Sequence, residues 1–392
     1  MQEVQAAKIK ALTKALDQMP HGGDLRPLAQ IIGCKESEIL DFSANLNPFA
    51  PAPEILAAIR TKLDQISRYP DPEPRDLIQA LARAKQLPAA EIFIGHGAAD
   101  LITRLALALR LIRPQGEAVC LPLPNFSAYA RAFKAAEWEL KTVNHIYSSE
   151  PVDLASCWQE EEEALLLCHP NNPSGLLYAP AELEALLRRA VELQKFLIVD
   201  QCFLNFLPAE RAARYDIEKL AAKIPGAREQ LVCLYSLTKF YSIPGLRLGY
   251  LHSANCELNK KLSELTPPWP LNYPAELAGL AALKLPAAEQ EEERLKIQAL
   301  RLRQKQALKA LNRSFGREIF SQITGEANFI AFCCSESNLA ARLLAAKKPI
   351  YIRQLKTVPG APENSYRIAV RDSFEQELLN SALKAVIQAA QP

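Results

Sequence analysis

Lys239 closes the run Tyr235-Ser236-Leu237-Thr238-Lys239, and eight residues later Arg247 follows a Pro244-Gly245 turn. A lysine in a loop at the end of an apolar strand can be desolvated and can form a Schiff base with an aldehyde. The hydroxyls of Ser236 and Thr238 and the guanidinium of Arg247 suit a phosphate. Upstream, Phe196-Leu197-Ile198-Val199-Asp200 ends an apolar run on a carboxylate. A charge there needs a partner; a protonated pyridine nitrogen is one, and a helix N-terminus is another. In His169-Pro170-Asn171-Asn172-Pro173-Ser174-Gly175, two prolines and a glycine fix a loop that presents Asn172, as they would fix a plain turn. Gly95-His96-Gly97-Ala98-Ala99-Asp100 precedes an apolar helix, Leu101–Leu111. Glycines opening a helix let backbone N–H groups close on a phosphate, although a bare G-x-G has many innocent explanations. Phe126 and Tyr129 follow Pro124 and offer an aromatic face to a ring.

Strand-like runs at Ala118–Leu121, Ala164–Cys168, Phe196–Asp200, Leu231–Tyr235 and Leu246–Leu251 must position these groups. Helical patterns such as Ala179–Leu193 lie between them, and the alternation predicts an α/β fold with a mostly parallel sheet. Near Thr266 the pattern changes. Pro267-Pro268-Trp269-Pro270 breaks regular structure, and a charged helical stretch follows over Ala287–Leu311. Short strands at Asn328–Cys333 and Tyr366–Val370 and helices at Asn338–Ala346 and Phe374–Ala389 then predict a smaller α+β domain. The expected division is an arm over 1–48 that packs on the small domain, a large domain over 49–265 and the small domain over 266–392.

Composition narrows the field. The 392 residues are 49% hydrophobic and 23% charged, with a net charge of +2. That balance points to no nucleic acid and no anionic membrane as partner. No run approaches the length of a membrane-spanning helix, and residues 1–18 read as an amphipathic helix without the apolar core of a secretory signal. Nine scattered cysteines, without a C-x-x-C pair, read as small buried hydrophobes of a reducing, cytoplasmic protein; no metal site is expected.

In order and spacing these motifs resemble the fold-type-I pyridoxal-phosphate enzymes. The similarity is to the branch that holds histidinol-phosphate aminotransferases and the threonine-phosphate decarboxylases of cobalamin synthesis, and it runs from His21 to Arg371. It implies a large domain with a seven-stranded type of sheet and a small C-terminal domain. It also implies pyridoxal 5'-phosphate as cofactor and a homodimer with shared active sites. Carried over, Lys239 would be the lysine that binds the cofactor aldehyde, Asp200 would pair with the ring nitrogen and Asn172 would bond the ring oxygen. Phe126 would stack on the ring. Ser236, Arg247 and the Gly97 and Ala98 backbone would hold the phosphate, with Tyr69 reaching it from the other subunit.

Two features of the resemblance favour decarboxylation. His21-Gly22-Gly23-Asp24 followed by Asp41-Phe42-Ser43-Ala44-Asn45-Leu46-Asn47-Pro48 is similar to the arm of the threonine-phosphate decarboxylases, where His21 would contact the substrate phosphate. Phe203 stands where aminotransferases of the branch carry a tyrosine. Arg353 and Arg367 would anchor the two acidic ends of the substrate, with the assignment between them open. Gln201, Cys202, Asn205, Asp24 and His96 depart from the family pattern and leave threonine phosphate against serine phosphate undecided. The expected function is therefore decarboxylation of L-threonine O-3-phosphate or L-serine O-phosphate. A histidinol-phosphate-type aminotransferase is the alternative, and a non-catalytic ligand-binding regulator on the same fold is the rival of another class.

Overall fold

A computed structural model describes residues 2–49, 51–148 and 150–389, with side chains from Val4 onward. The start of the expected N-terminal helix at Met1 and the last three residues of the expected small domain lie outside the described residues. The chain folds as two compact units: unit 1 is Met1–Pro48, Pro173–Leu176 and Lys296–Pro392, and unit 2 is Phe49–Asn172 and Leu177–Leu295.

Unit 2 is built on a seven-stranded sheet. Its strands in chain order are β1 (Ile92–His96), β2 (Ala118–Leu123), β3 (Glu139–Asn144), β4 (Glu162–Cys168), β5 (Phe196–Asp200), β6 (Leu231–Ser236) and β7 (Leu248–Ser253). They lie in the order β1-β7-β6-β5-β4-β2-β3, with β7 antiparallel to both neighbours and the other pairs parallel. Every residue of β4, β5 and β6 is buried. A strand covered on both faces reads as an unbroken apolar run, which is why these three are legible in the sequence. β3 (Glu-Leu-Lys-Thr-Val-Asn) is a polar edge strand with no such run, and neither it nor β1 is anticipated by the sequence pattern. Leu246, expected in the last strand, instead sits in the 3-10 turn Pro244–Leu246, where proline and glycine prevent extended pairing.

Register puts the chemistry at one edge. Cys168 pairs with Asp200, and Asp200 with Leu234. The loops leaving the carboxyl ends of β4, β5 and β6 therefore emerge together, carrying Asn172, Asp200 and Lys239. The carboxyl edge of an α/β sheet is where ligands bind in such folds. Although a break is expected near Thr266, residues 266–295 belong to unit 2. There the helix Tyr273–Ala282 packs Ala278 and Ala282 against Ile55 of the helix Pro53–Arg60.

Unit 1 holds a four-stranded antiparallel sheet in the order Arg353–Gln354, Ser365–Ala369, Phe329–Cys334, Phe320–Thr324. The helices Gln2–Leu16, Leu339–Leu344 and Ser373–Gln388 supply Leu12, Leu16, Leu343 and Leu383 to one core with Phe332 and Ile350. The arm is tied in by backbone pairing. Leu40–Asp41 runs parallel to Ile350–Tyr351, and the Ala369 N–H donates to Phe42 O at 2.7 Å.

Candidate active site

The site in unit 2 begins with Asp200. It is 4% exposed, so its carboxylate must be hydrogen-bonded. The Cys202 N–H donates to Oδ1 at 2.9 Å, and the Tyr129 hydroxyl donates to Oδ2 at 2.6 Å. Tyr129 lies on the first turn of the helix Ser127–Ala135 and is fully buried. It is therefore not an open aromatic face of the kind that the sequence suggests: its hydroxyl is engaged by Asp200, and its ring meets Phe126 edge-on at 5.6 Å between centroids. Phe126 is half-buried.

Lys239 leaves β6 two residues beyond Leu237, whose N–H still bonds Leu248 O. Its Nζ lies 4.9 Å from the centre of the Phe203 ring. Phe203 is buried and offers a π face but no hydroxyl. Cys168 and Cys202 also lie near Asp200, and burial pushes both thiols up so that they stay neutral.

Asn172 is held by its neighbours. Asn171 donates from Nδ2 to Pro124 O at 3.0 Å, which ties the loop to the turn before Phe126. His169 is fully buried; its Nδ1 accepts from the Tyr178 N–H at 3.3 Å, and its Nε2 lies 3.1 Å from Tyr215 O. A carbonyl can only accept and an amide N–H can only donate, so the ring is neutral with its proton on Nε2. Burial pushes its pKa down to about 4.

The candidate phosphate-binding groups gather at the start of the helix Gly97–Ile112. Gly97 has φ +74°, and a Cβ there would sit 2.8 Å from Arg247 Nη2, so glycine is required both by the backbone and by the guanidinium beside it. At Gly249, paired with Gly95 and Ser236, a Cβ would lie 2.8 Å from Ala98 N. The bare strand lets the helix start approach the end of β6, where the Ser236 and Thr238 hydroxyls are 2.7 Å apart. Asp100 Oδ2 accepts from the His96 N–H at 3.0 Å and from Arg104 at 2.8 Å and braces the turn. Tyr69 is elsewhere in character: it is 82% exposed and packs on Trp269 at 4.6 Å.

Unit 1 carries the remaining candidates. Arg353 and Arg367 are cross-strand partners. Arg353 is buried and donates to Met19 O at 2.8 Å, Pro20 O at 2.9 Å and Thr357 Oγ1 at 3.2 Å. It thereby holds the residues just before His21. Arg367 donates to Ser43 O at 2.8 Å, and Ser43 Oγ accepts from the Gly23 N–H at 2.8 Å. Burial and the positive charge of Arg353 push the Arg367 pKa down to about 9, so it is still protonated at pH 7 and favours an anion. His21 is exposed. Asn45 Oδ1 is buried and has no hydrogen-bond partner among the described residues, a group suited to a ligand donor.

Residues 37–386 match the family described as aminotransferase class I and II. The chain belongs to that family. Among the family's relatives, the threonine-phosphate decarboxylase of Salmonella typhimurium is 32% identical over 386 residues, covering 96% of this chain and 99% of that protein. A crystal structure of L-threonine-O-3-phosphate decarboxylase from Porphyromonas gingivalis has a TM-score of 0.74 at 23% identity, covering 89% of this chain and 100% of the other. The histidinol-phosphate aminotransferase from Sinorhizobium meliloti, solved with pyridoxal-5'-phosphate, has a TM-score of 0.79 at 26% identity, covering 95% and 96%. The fold is that of fold-type-I enzymes.

The unit 2 groups fit that cofactor chemically. Arg247 beside Gly97 suits an anion, the Lys239 amine suits an aldehyde, and the buried Asp200 carboxylate suits a cationic ring nitrogen; pyridoxal phosphate carries all three. Sequence reasoning misses the tie of Arg353 to Met19 and Pro20. Those partners lie more than 330 residues apart, and no local pattern announces them.

Proposed function

We propose that this chain is a pyridoxal-phosphate-dependent decarboxylase of L-threonine O-3-phosphate or L-serine O-phosphate, working as a cytoplasmic homodimer. Its product, aminopropanol phosphate or ethanolamine phosphate, would serve the nucleotide loop of a corrinoid. The observation that carries the reaction is the full-length similarity to a threonine-phosphate decarboxylase.

Bound pyridoxal phosphate supplies a sink for the electrons of the bond broken at Cα. The protein's part is to bind and orient. The Gly97 and Ala98 N–H groups, Ser236 and Arg247 bind the phosphate. Lys239 holds the aldehyde carbon, Asp200 keeps a proton on the ring nitrogen, Asn172 donates to the ring oxygen and Phe126 covers a ring face. Tyr69, left 82% exposed, reaches the phosphate site of a second copy. Arg367 and Arg353 take the acidic ends of the substrate, with His21 on its phosphate. The task of Arg353, Arg367 and His21 would be orientation: by fixing the acidic ends of the substrate they would select the C–COO⁻ bond rather than C–H for cleavage. Lys239, set free from the aldehyde carbon when the substrate amine takes its place there, would be the acid that gives a proton to Cα after CO₂ leaves. Phe203 beside Lys239 provides no phenol donor, consistent with a site that differs from the aminotransferases.

Incubating the protein and pyridoxal phosphate with each phospho-amino acid should release CO₂ and form the corresponding amino-alcohol phosphate. A requirement for 2-oxoglutarate, with amino transfer and no CO₂, would sink the reading in favour of transamination.

A further inference from the structure

Asp200 is held by two donors of different kinds. The Cys202 N–H on Oδ1 belongs to the backbone that follows β5 and cannot be changed without moving the strand end. The Tyr129 hydroxyl on Oδ2 comes from a separate element, the helix Ser127–Ala135, which lies 71 residues earlier in the sequence. The two thiols beside the carboxylate, Cys168 and Cys202, are weak donors. Tyr129 is thus the strong side-chain donor on the carboxylate. Its ring is fully buried and set edge-on against Phe126, so its hydroxyl has a fixed bearing.

We propose that Tyr129 is a positioning residue, which sets the Asp200 carboxylate in the orientation that receives the ring nitrogen of pyridoxal phosphate. The inference rests on the cofactor reading above and adds to it a residue whose task is Asp200. A carboxylate with one hydrogen bond at each oxygen is fixed in rotation and keeps its remaining lone pairs in fixed directions. With the backbone N–H and the weak thiol donors alone it would turn more freely about χ2, and a ring cation would have to reorder it on binding. Contact of the same phenol with Phe126 also keeps the candidate stacking ring and the candidate nitrogen partner in one register.

The test is the Tyr129→Phe variant, which keeps the ring and removes the hydroxyl. The dissociation constant for pyridoxal phosphate, measured by titrating cofactor-free protein and following visible absorbance, should rise about tenfold or more, the scale of a lost hydrogen bond to a charged group. The pH midpoint of the visible band should shift by about half a unit or more. In an Asp200→Asn background the same change should add little, because the group it acts through has lost its charge. Thermal unfolding of each cofactor-free variant reports whether it folds. An unchanged dissociation constant and midpoint in a folded Tyr129→Phe protein overturns the inference, and so do fully additive effects in the two backgrounds. Failure of the unsubstituted protein to take up pyridoxal phosphate instead brings down the cofactor reading itself.

Discussion

His169 makes an acid-stability prediction that can be worked from the structure. Its ring is neutral in the folded protein, where burial pushes the pKa from 6.5 down to about 4. In the unfolded chain the imidazole regains its ordinary affinity for a proton. Above pH 6.5 neither state is protonated and the histidine contributes nothing to the pH dependence. As pH falls from 6.5 towards 4, the unfolded chain takes up the proton first, and stability drops. The loss is about 2 kcal/mol at pH 5 and levels off at about 3 kcal/mol below pH 4. Substituting His169→Gln removes the titration and retains a donor for Tyr215 O, at the cost of the acceptor for the Tyr178 N–H. The variant should start about 1–3 kcal/mol less stable at pH 7.5 and close that gap on acidification. Urea unfolding of the cofactor-free protein followed by tryptophan fluorescence measures this, because Trp138, Trp158 and Trp269 all lie in unit 2 with His169. A difference between the two proteins that stays constant from pH 7.5 to pH 4 would refute the reasoning.

Other consequences are open to measurement. Lys239→Ala should abolish decarboxylation and the visible band of bound pyridoxal phosphate while leaving the cofactor-free melting temperature near that of the parent. Gly97→Ala forces a Cβ onto a backbone with φ +74° and against Arg247; affinity for pyridoxal phosphate should fall about tenfold, from roughly 1–2 kcal/mol of strain. Arg367→Leu should raise KM for the phospho-amino acid by about 10–100-fold, the scale of a lost charge-assisted contact, and saturation kinetics will show it. His252 behaves oppositely to His169. Burial opposes its charge, but Glu218 at 2.5 Å and Glu91 at 2.9 Å outweigh it and raise its pKa. Its contribution is full below pH 6.5 and is lost as pH rises through the raised value, so His252→Gln should flatten the alkaline side of the stability profile.

The legibility of the fold follows burial. Phe196–Asp200 reads with its observed bounds because five buried residues in a row leave no ambiguity of period. Glu139–Asn144 and Phe320–Thr324 escape because half-exposed strands carry polar residues that suit a loop equally well. At the site, residue types are legible where one loop delivers them, as with Lys239 and Asp200. Bearings are not. Tyr129 reads as an aromatic near a turn, and only the packed helix shows that its hydroxyl faces Asp200 and its ring faces away from solvent. The partners of Arg353 are backbone carbonyls, which every residue has, so composition could never single them out.

The make-up of unit 1 bears on how the chain is made. Leu12, Leu16 and Met19 share a core with Leu308, Phe332 and Ile350, so the first 48 residues have their partners in the last hundred or so. Unit 2 runs almost without interruption from Phe49 to Leu295, so all of it emerges from the ribosome before those partners do. Domains tend to fold as units in order of emergence. The N-terminal arm should therefore wait, apolar face uncovered, while unit 2 folds, and close only when the final strands arrive. During translation that waiting segment is the natural target for a chaperone, and for aggregation when none is at hand.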